Sequence, residues 1–191
     1  MKRMILFPGV GYTTEKPLLY YARKLGMRYG FECSALSYSG FPKDIKSAME
    51  KREDGYSLAL RQTEEQLSGI DLTKDETVIF VSKSIGTVAA ARFADRYDIP
   101  AKQVFLTPLK ETFEKAKEES GFVFHGTKDP LADTDEIKSL AEKLRLPLHL
   151  VKDGNHSLET GDVQTDLKIL QVVMHEIEKL LFSYNTGGTA E

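Results

Sequence analysis

The sequence predicts an α/β protein, a three-layer sandwich in which helices cover both faces of a mostly parallel sheet of about six strands. Short runs that are apolar throughout alternate with longer amphipathic runs, a pattern typical of strands buried on both faces. The chain has 191 residues, 41% of them hydrophobic, which suits one domain with a sizeable core. We therefore expect a single domain over residues 1–184 and a flexible, glycine-rich tail over residues 185–191.

The strands and helices can be predicted in chain order from these runs. Strands are indicated by apolar runs at residues 4–7, 31–38, 78–81, 104–106, 122–124 and 146–151. The run at 78–81 is the clearest, because its four residues are apolar and mostly β-branched. Apolar side chains at helical spacing, or a charged run between strands, predict helices at residues 18–29, 56–67, 85–97, 110–120 and 167–181. Residues 42–54 are expected to be irregular.

Composition argues against several classes of function. The net charge is −3, whereas nucleic-acid binders usually carry a basic excess. No apolar run approaches the roughly 18–20 residues of a spanning helix, and the first run is too short for a secretory signal. One cysteine cannot form an internal disulfide. We expect a cytoplasmic protein that is not inserted in a membrane; the sequence leaves its oligomeric state open.

The segments that follow the strands are the ones to inspect, because ligands bind at the carboxyl ends of parallel strands. After strands one, three, five and six the chain reads PGVGY (8–12), SKSIG (82–86), HGTKDP (125–130) and DGNHS (153–157). One edge of the sheet is therefore predicted to hold a glycine loop, a serine, an aspartate and a histidine.

Ser84 lies where a strand turns abruptly into a helix, as the nucleophile does in a G-x-S-x-G elbow. Gly86 matches the second glycine of that pattern, whereas Ser82 stands in place of the first. A serine hydroxyl needs a base, and His156 lies in a post-strand loop of small residues. Asp129 is placed to orient that imidazole; Asp133, one turn further on, is the rival that we rank lower.

The loop after the first strand and the start of the helix after Ser84 supply candidate oxyanion donors. We expect the backbone N–H groups of Val10 and Ile85 to bind the oxyanion. Gly9 and Gly11 would let this loop approach a substrate, and Tyr12 would either line the site or pack against it. The loop only partly matches G-x-G-x-x-G, so we predict no dinucleotide cofactor, and no metal motif is present.

These segments resemble the α/β-hydrolase family, in particular its small lidless serine hydrolases of the dienelactone-hydrolase type or with a Lys-Ser-x-Gly elbow. The resemblance covers roughly residues 4–181 and depends on SKSIG, HGTKDPL and DGNHSL in the family's order of serine, aspartate and histidine. It implies a minimal α/β-hydrolase fold without a lid, and a catalytic triad of Ser84, Asp129 and His156. It also implies a small-molecule acyl substrate and no cofactor.

We therefore expect a serine hydrolase that cleaves a carboxylic ester or similar acyl bond through an acyl-enzyme on Ser84. Two alternatives remain open. A thioesterase or acyltransferase would use the same triad with a different acceptor. A non-catalytic binding or scaffold protein could keep the fold, and the substitutions Ser82 and Pro8 near the site motivate that hypothesis.

Overall fold

The computed structural model describes residues 1–42 and 49–184, so the expected tail at 185–191 lies outside the described residues. The strands are β1 Lys2–Phe7, β2 Glu32–Ala35, β3 Thr77–Lys83, β4 Lys102–Leu106, β5 Gly121–Gly126 and β6 Leu148–Val151. The α-helices are α1 Pro17–Arg28, α2 Met49–Gln66, α3 Ile85–Arg96, α4 Thr134–Lys143 and α5 Val163–Ser183. Two short 3₁₀ helices cover Leu72–Lys74 and Lys110–Glu114.

The strands form one sheet in the order β2-β1-β3-β4-β5-β6, and every pairing is parallel. The chain moves from β1 outward to β2, returns to the other side of β1 for β3, and then proceeds to β6. This reversal makes the carboxyl ends of β1 and β3 a topological switch point, where open α/β sheets leave a crevice for ligands. The predicted fold class is confirmed.

The core lies in two layers, one on each face of the sheet. All seven residues of β3 are buried, and its side chains alternate between the two layers. One layer joins Ile79 and Val81 to α1 and α5. The other joins Val78 and Phe80 to α2 and α3, and α4 covers the same face beside Phe105.

Several elements differ from the sequence-based expectation. Strand β2 spans only Glu32–Ala35, because its partner β1 ends at Phe7, ahead of Pro8. The expected helix at 110–120 is only the 3₁₀ helix Lys110–Glu114. The expected irregular region at 42–54 includes the start of α2 at Met49. Helix α4 was not predicted.

The cap of α4 was the signal for that missing helix. The Asp133 carboxylate accepts hydrogen bonds from the N–H groups of Asp135 (3.0 Å) and Glu136 (2.9 Å), and both acidic residues occupy the first turn. An N-cap aspartate followed by acidic first-turn residues marks the start of a helix. Ile137 and Ala141 then supply buried side chains at helical spacing.

The connection from β4 to β5 is short, as the resemblance to lidless hydrolases implies. Residues 107–120 contain only the 3₁₀ helix, and no lid stands above the sheet edge in the part of the chain that the structure describes. Among the helices of that part, none is long and apolar enough to cross a membrane.

Candidate active site

A strained turn at Ser84 joins β3 to α3. Its backbone has φ 56° and ψ −125°, a conformation that residues other than glycine rarely adopt and that surrounding packing must hold. The turn aims the side chain outward at the start of α3. Gly86 makes this arrangement possible, because a Cβ there would lie 2.5 Å from the carbonyl oxygens of Phe7 and Pro8. Helix α3 therefore packs directly against the end of β1.

Ser82, which stands in place of the first glycine of the elbow pattern, is accommodated inside the sheet. Its side chain is fully buried, and its hydroxyl donates to the carbonyl oxygen of Val104 on the neighbouring strand at 3.1 Å. The extra hydroxyl is thus satisfied within the sheet, and the elbow keeps its shape despite the departure from glycine.

The three side chains singled out after β3, β5 and β6 form one hydrogen-bonded chain. Ser84 Oγ lies 2.7 Å from His156 Nε2, and His156 Nδ1 lies 2.7 Å from Asp129 Oδ2. With a neutral imidazole, Nδ1–H donates to the carboxylate and the serine hydroxyl donates to Nε2. The Asp129 side chain is fully buried, and its other oxygen accepts the Leu131 N–H at 2.9 Å. The structure brings together the residues of the predicted triad.

The loop of Asp129 and the loop of His156 are joined by backbone contacts. Lys128 N–H donates to the carbonyl oxygen of Gly154 at 2.9 Å, and Asp153 N–H donates to the Thr127 hydroxyl at 2.8 Å. Gly126 allows this close approach, because a Cβ there would lie 2.2 Å from the Gly154 oxygen. The acid and the histidine are therefore carried by one paired unit.

The two neighbouring titratable residues have other partners. Asp133 caps α4, as described above. His125 is fully buried in β5, with Nε2 at 3.1 Å from the Thr134 hydroxyl and Nδ1 at 3.9 Å from Asp129 Oδ2. Burial lowers the pKa of His125, so its ring is held neutral behind Asp129.

The loop after β1 lies against the nucleophile elbow. Gly9 and Tyr12 pair their backbones, with N···O distances of 3.0 and 3.3 Å, and Gly11 turns the loop with φ 73°. Gly9 approaches Ser84 so closely that a Cβ there would lie 3.1 Å from the serine Cβ. Within residues 1–42 and 49–184, the Val10 N–H has no hydrogen-bond acceptor.

The N–H of Ile85 belongs to the first turn of α3, whose donors have no intrahelical partner. Val10 and Ile85 both line the cleft that Ser84 faces. The residues of both predicted oxyanion donors therefore line the same cleft as the serine.

Solved structures share this architecture over nearly the whole chain. A candidate hydrolase of the alpha/beta superfamily from Xanthomonas campestris pv. campestris gives a TM-score of 0.68 at 14% identity, covering 96% of this chain and 99% of that one. The ydeN gene product from B. subtilis gives 0.63 at 14% identity, covering 96% and 100%. A serine hydrolase without lid from Xanthomonas campestris gives 0.59 at 12% identity, covering 94% and 81%. This chain has the α/β-hydrolase fold. No protein-family model matches its sequence, and no curated protein matches it significantly.

A cleft opens in front of Ser84 in this α/β-hydrolase fold. Besides Ser84, its lining residues come from five regions of the chain: Val10, Arg52, Tyr56, Ile85, Leu109 and Leu131. The contributions of α2 and of the residues after β4 were not predicted from the sequence. Leu109 and Leu131 follow strand ends and could have been suspected, whereas nothing in the periodicity of α2 distinguishes its cleft-facing residues.

Tyr12, the third expected substrate-binding residue of the loop, is placed differently from Val10. Its ring is nearly buried, its hydroxyl accepts the Leu18 N–H at 3.2 Å, and burial raises its pKa to about 12. It lines a separate groove, together with residues of the His156 loop and α5, rather than the cleft in front of Ser84.

The single cysteine is distant in the fold from this edge of the sheet. Cys33 lies in β2, its thiol approaches the carbonyl oxygens of Phe31 and Arg23, and burial raises its pKa to about 11. Among the described residues, no cluster of three or more His, Cys, Asp or Glu side chains could hold a metal ion.

We expect Cys33 to react slowly with iodoacetamide at pH 8, because only about one thiol in a thousand would be ionised there. Mass spectrometry would follow alkylation of the folded protein and of the same protein in guanidinium, which serves as the control. Equal rates in the two samples would contradict the raised pKa.

Proposed function

We propose that the protein is a serine hydrolase that cleaves a carboxylic ester or a similar acyl bond through an acyl-enzyme on Ser84. The observation that carries this proposal is the uninterrupted hydrogen-bonded chain from Ser84 through His156 to Asp129, with both links at 2.7 Å. Such a chain gives a hydroxyl the adjacent base that it needs to act as a nucleophile.

The chemistry follows from these contacts. Ser84 Oγ attacks the acyl carbonyl while His156 Nε2 accepts the hydroxyl proton and later delivers it to the leaving group. Asp129 keeps the proton of the neutral ring on Nδ1 and stabilises the imidazolium that forms. The N–H groups of Val10 and Ile85 stabilise the negative charge that develops on the carbonyl oxygen. Water then attacks the acyl-enzyme by the reverse sequence of proton transfers, so the scheme requires no cofactor.

The cleft supports a small acyl group as substrate. Its walls are largely aliphatic, from Val10, Ile85, Leu109 and Leu131, and Ser84 lies among these lining residues. With no lid in the β4–β5 connection, the site is open to acyl groups carried on a larger molecule.

Labelling with a fluorophosphonate probe tests the proposal. We expect the wild-type protein to label at a single site and the Ser84→Ala variant not to label, because the probe phosphonylates an activated serine hydroxyl with loss of fluoride. Ser82→Ala is the matched control, since it removes a hydroxyl two residues away that only bonds within the sheet. Equal labelling of wild type and Ser84→Ala, or labelling of neither, would refute the proposal; the latter result would favour the scaffold alternative.

A further inference from the structure

A buried lysine lies directly before the proposed nucleophile. The Lys83 side chain is 1% exposed, at the end of β3. Its ammonium donates to the backbone carbonyl oxygen of His156 at 2.5 Å and to the Thr107 hydroxyl at 2.5 Å. It also lies 5.1 Å from the centroid of the Tyr12 ring, in cation–π range.

Thr107 completes the contact with the histidine loop. It is fully buried, and its hydroxyl donates to the same carbonyl oxygen of His156 at 3.0 Å. One backbone carbonyl therefore accepts two hydrogen bonds, one of them charge-assisted, from Lys83 at the end of β3 and from Thr107 directly after the adjacent β4.

Burying an ammonium group inside a sheet has a large desolvation cost. Taking a charge out of water costs several kcal/mol, and an apolar side chain of similar volume would often serve stability as well or better. The ammonium of Lys83 donates to the loop that bears the proposed base and to Thr107, which directly follows the neighbouring strand. A contribution to stability therefore does not explain this contact well. A role in holding the His156 loop in position explains it better.

The loop has need of such control because it lacks regular secondary structure. Asp153 and Leu158 both have positive φ, 59° and 62°, and the segment between them carries His156. The backbone link to the Asp129 loop is made through Asp153 and Gly154, which precede the histidine. The carbonyl of His156 itself is held by Lys83 and Thr107.

We propose that Lys83 is a positioning residue for the hydrolase reaction, which sets the place of His156 by binding its backbone carbonyl, with Thr107 as its partner. This inference rests on the proposed function of the Ser84 site. Lys83 and Ser84 are consecutive in the chain, so the same strand end places the nucleophile and holds the base. A displacement of about 1 Å in such a pair can cost about a hundredfold in rate.

Because Lys83 is charged, its removal should change the pH dependence of the reaction. Loss of a side chain that only packs would not change it. The ionisable groups around His156 include Asp129 at its Nδ1, Lys83 at its carbonyl, the buried His125 behind Asp129, and Asp153 and Glu159 in its own loop. A nearby positive charge disfavours the imidazolium. Removing the ammonium should therefore move the acid limb of the reaction to higher pH, in addition to slowing the reaction.

The test uses the rate constant of fluorophosphonate labelling of the full chain from pH 5 to 9, together with thermal melting. Lys83→Met keeps the length of the side chain without its charge or donors, and we expect it to label about a hundredfold more slowly. We also expect its acid-limb midpoint to shift up by about half a pH unit or more, and its melting temperature to stay equal or rise.

Two further variants make the test specific. We expect Thr107→Val to label about tenfold more slowly than wild type. The double variant Lys83→Met/Thr107→Val should label within about twofold of the rate of Lys83→Met, because both residues act through one carbonyl. Ser82→Ala, which removes a buried hydroxyl from the same strand end, should stay within about twofold of wild type.

Lys83→Met labelling at the wild-type rate with the wild-type pH midpoint would overturn the inference, whatever happens to its stability. If Lys83→Met fails to fold, Thr107→Val decides: slower labelling supports the inference, and an unchanged rate overturns it. Absence of labelling in the wild type refutes the proposed hydrolase function, and the positioning role falls with it. The wild-type result by itself distinguishes failure of the hydrolase proposal from failure of the positioning proposal.

Discussion

Asp129→Asn is expected to lower kcat for a reactive acyl ester by about 10³- to 10⁴-fold. The amide would present its NH₂ or oxygen to His156 Nδ1, which holds the imidazole in the wrong tautomer or leaves it unanchored. The geometry requires a carboxylate here, because the second oxygen already accepts the Leu131 N–H. Initial rates of hydrolysis of a panel of acyl esters and acyl thioesters would measure the effect and define the leaving group that the site prefers.

Asp133→Asn is the matched control for this variant. It lies four residues away, and its role is to cap α4, which asparagine also does well. We expect its kcat to stay within about twofold of wild type, with little change in stability. A large loss of activity in Asp133→Asn with little loss in Asp129→Asn would exchange the roles that we assign to the two residues.

Gly86→Ala is expected to destabilise the protein by about 3 kcal/mol. The added methyl group would lie 2.5 Å from two backbone oxygens, those of Phe7 and Pro8, and neither can move without disturbing β1 or the loop after it. Urea unfolding would give the loss in free energy of unfolding. Labelling of the folded fraction should also slow, because the displaced loop carries the proposed oxyanion donor Val10.

Gly30→Ala provides the comparison for Gly86→Ala. Gly30 has φ 77° and no atom within 4 Å of a Cβ built there, so alanine meets only the strain of the left-handed backbone, about 1–2 kcal/mol. Labelling should be unchanged, since the site is remote. A loss of stability in Gly86→Ala no larger than that in Gly30→Ala would show that α3 can shift away from β1 at little cost.

The fold and the central residues of the site were predictable because both depend on local patterns. Apolar runs located all six strands. In a parallel sheet, the segments that follow the strands all lie at the edge formed by the carboxyl ends. Ser84, Asp129 and His156 each follow a strand, so three separate loops point to the same place without any knowledge of packing. Helix α4 was predictable in principle, since Asp133 and the acidic first turn are a recognisable start, but it was overlooked.

Other features depend on contacts between distant parts of the chain. Lys83 looks like an ordinary residue of the elbow pattern, and only the return of the chain after β6 shows that its ammonium meets the carbonyl of His156. Tyr56 and Arg52 reach the cleft because α2 lies beside the switch point, which sequence spacing does not specify. The extent of the 3₁₀ helix after β4 is likewise set by tertiary packing, in which Phe113 and Ala116, three residues apart, are buried.

The contact between Lys83 and His156 closes a ring. The ring runs from Ser84 Oγ to the imidazole, through His156 to its carbonyl, across to the Lys83 ammonium and back along one peptide bond to Ser84. In the proposed reaction the Ser84–His156 hydrogen bond disappears when the serine becomes acylated, which opens the ring at one point only. The other contact persists, so the histidine is retained beside the ester bond and is ready to activate water for the second half of the cycle.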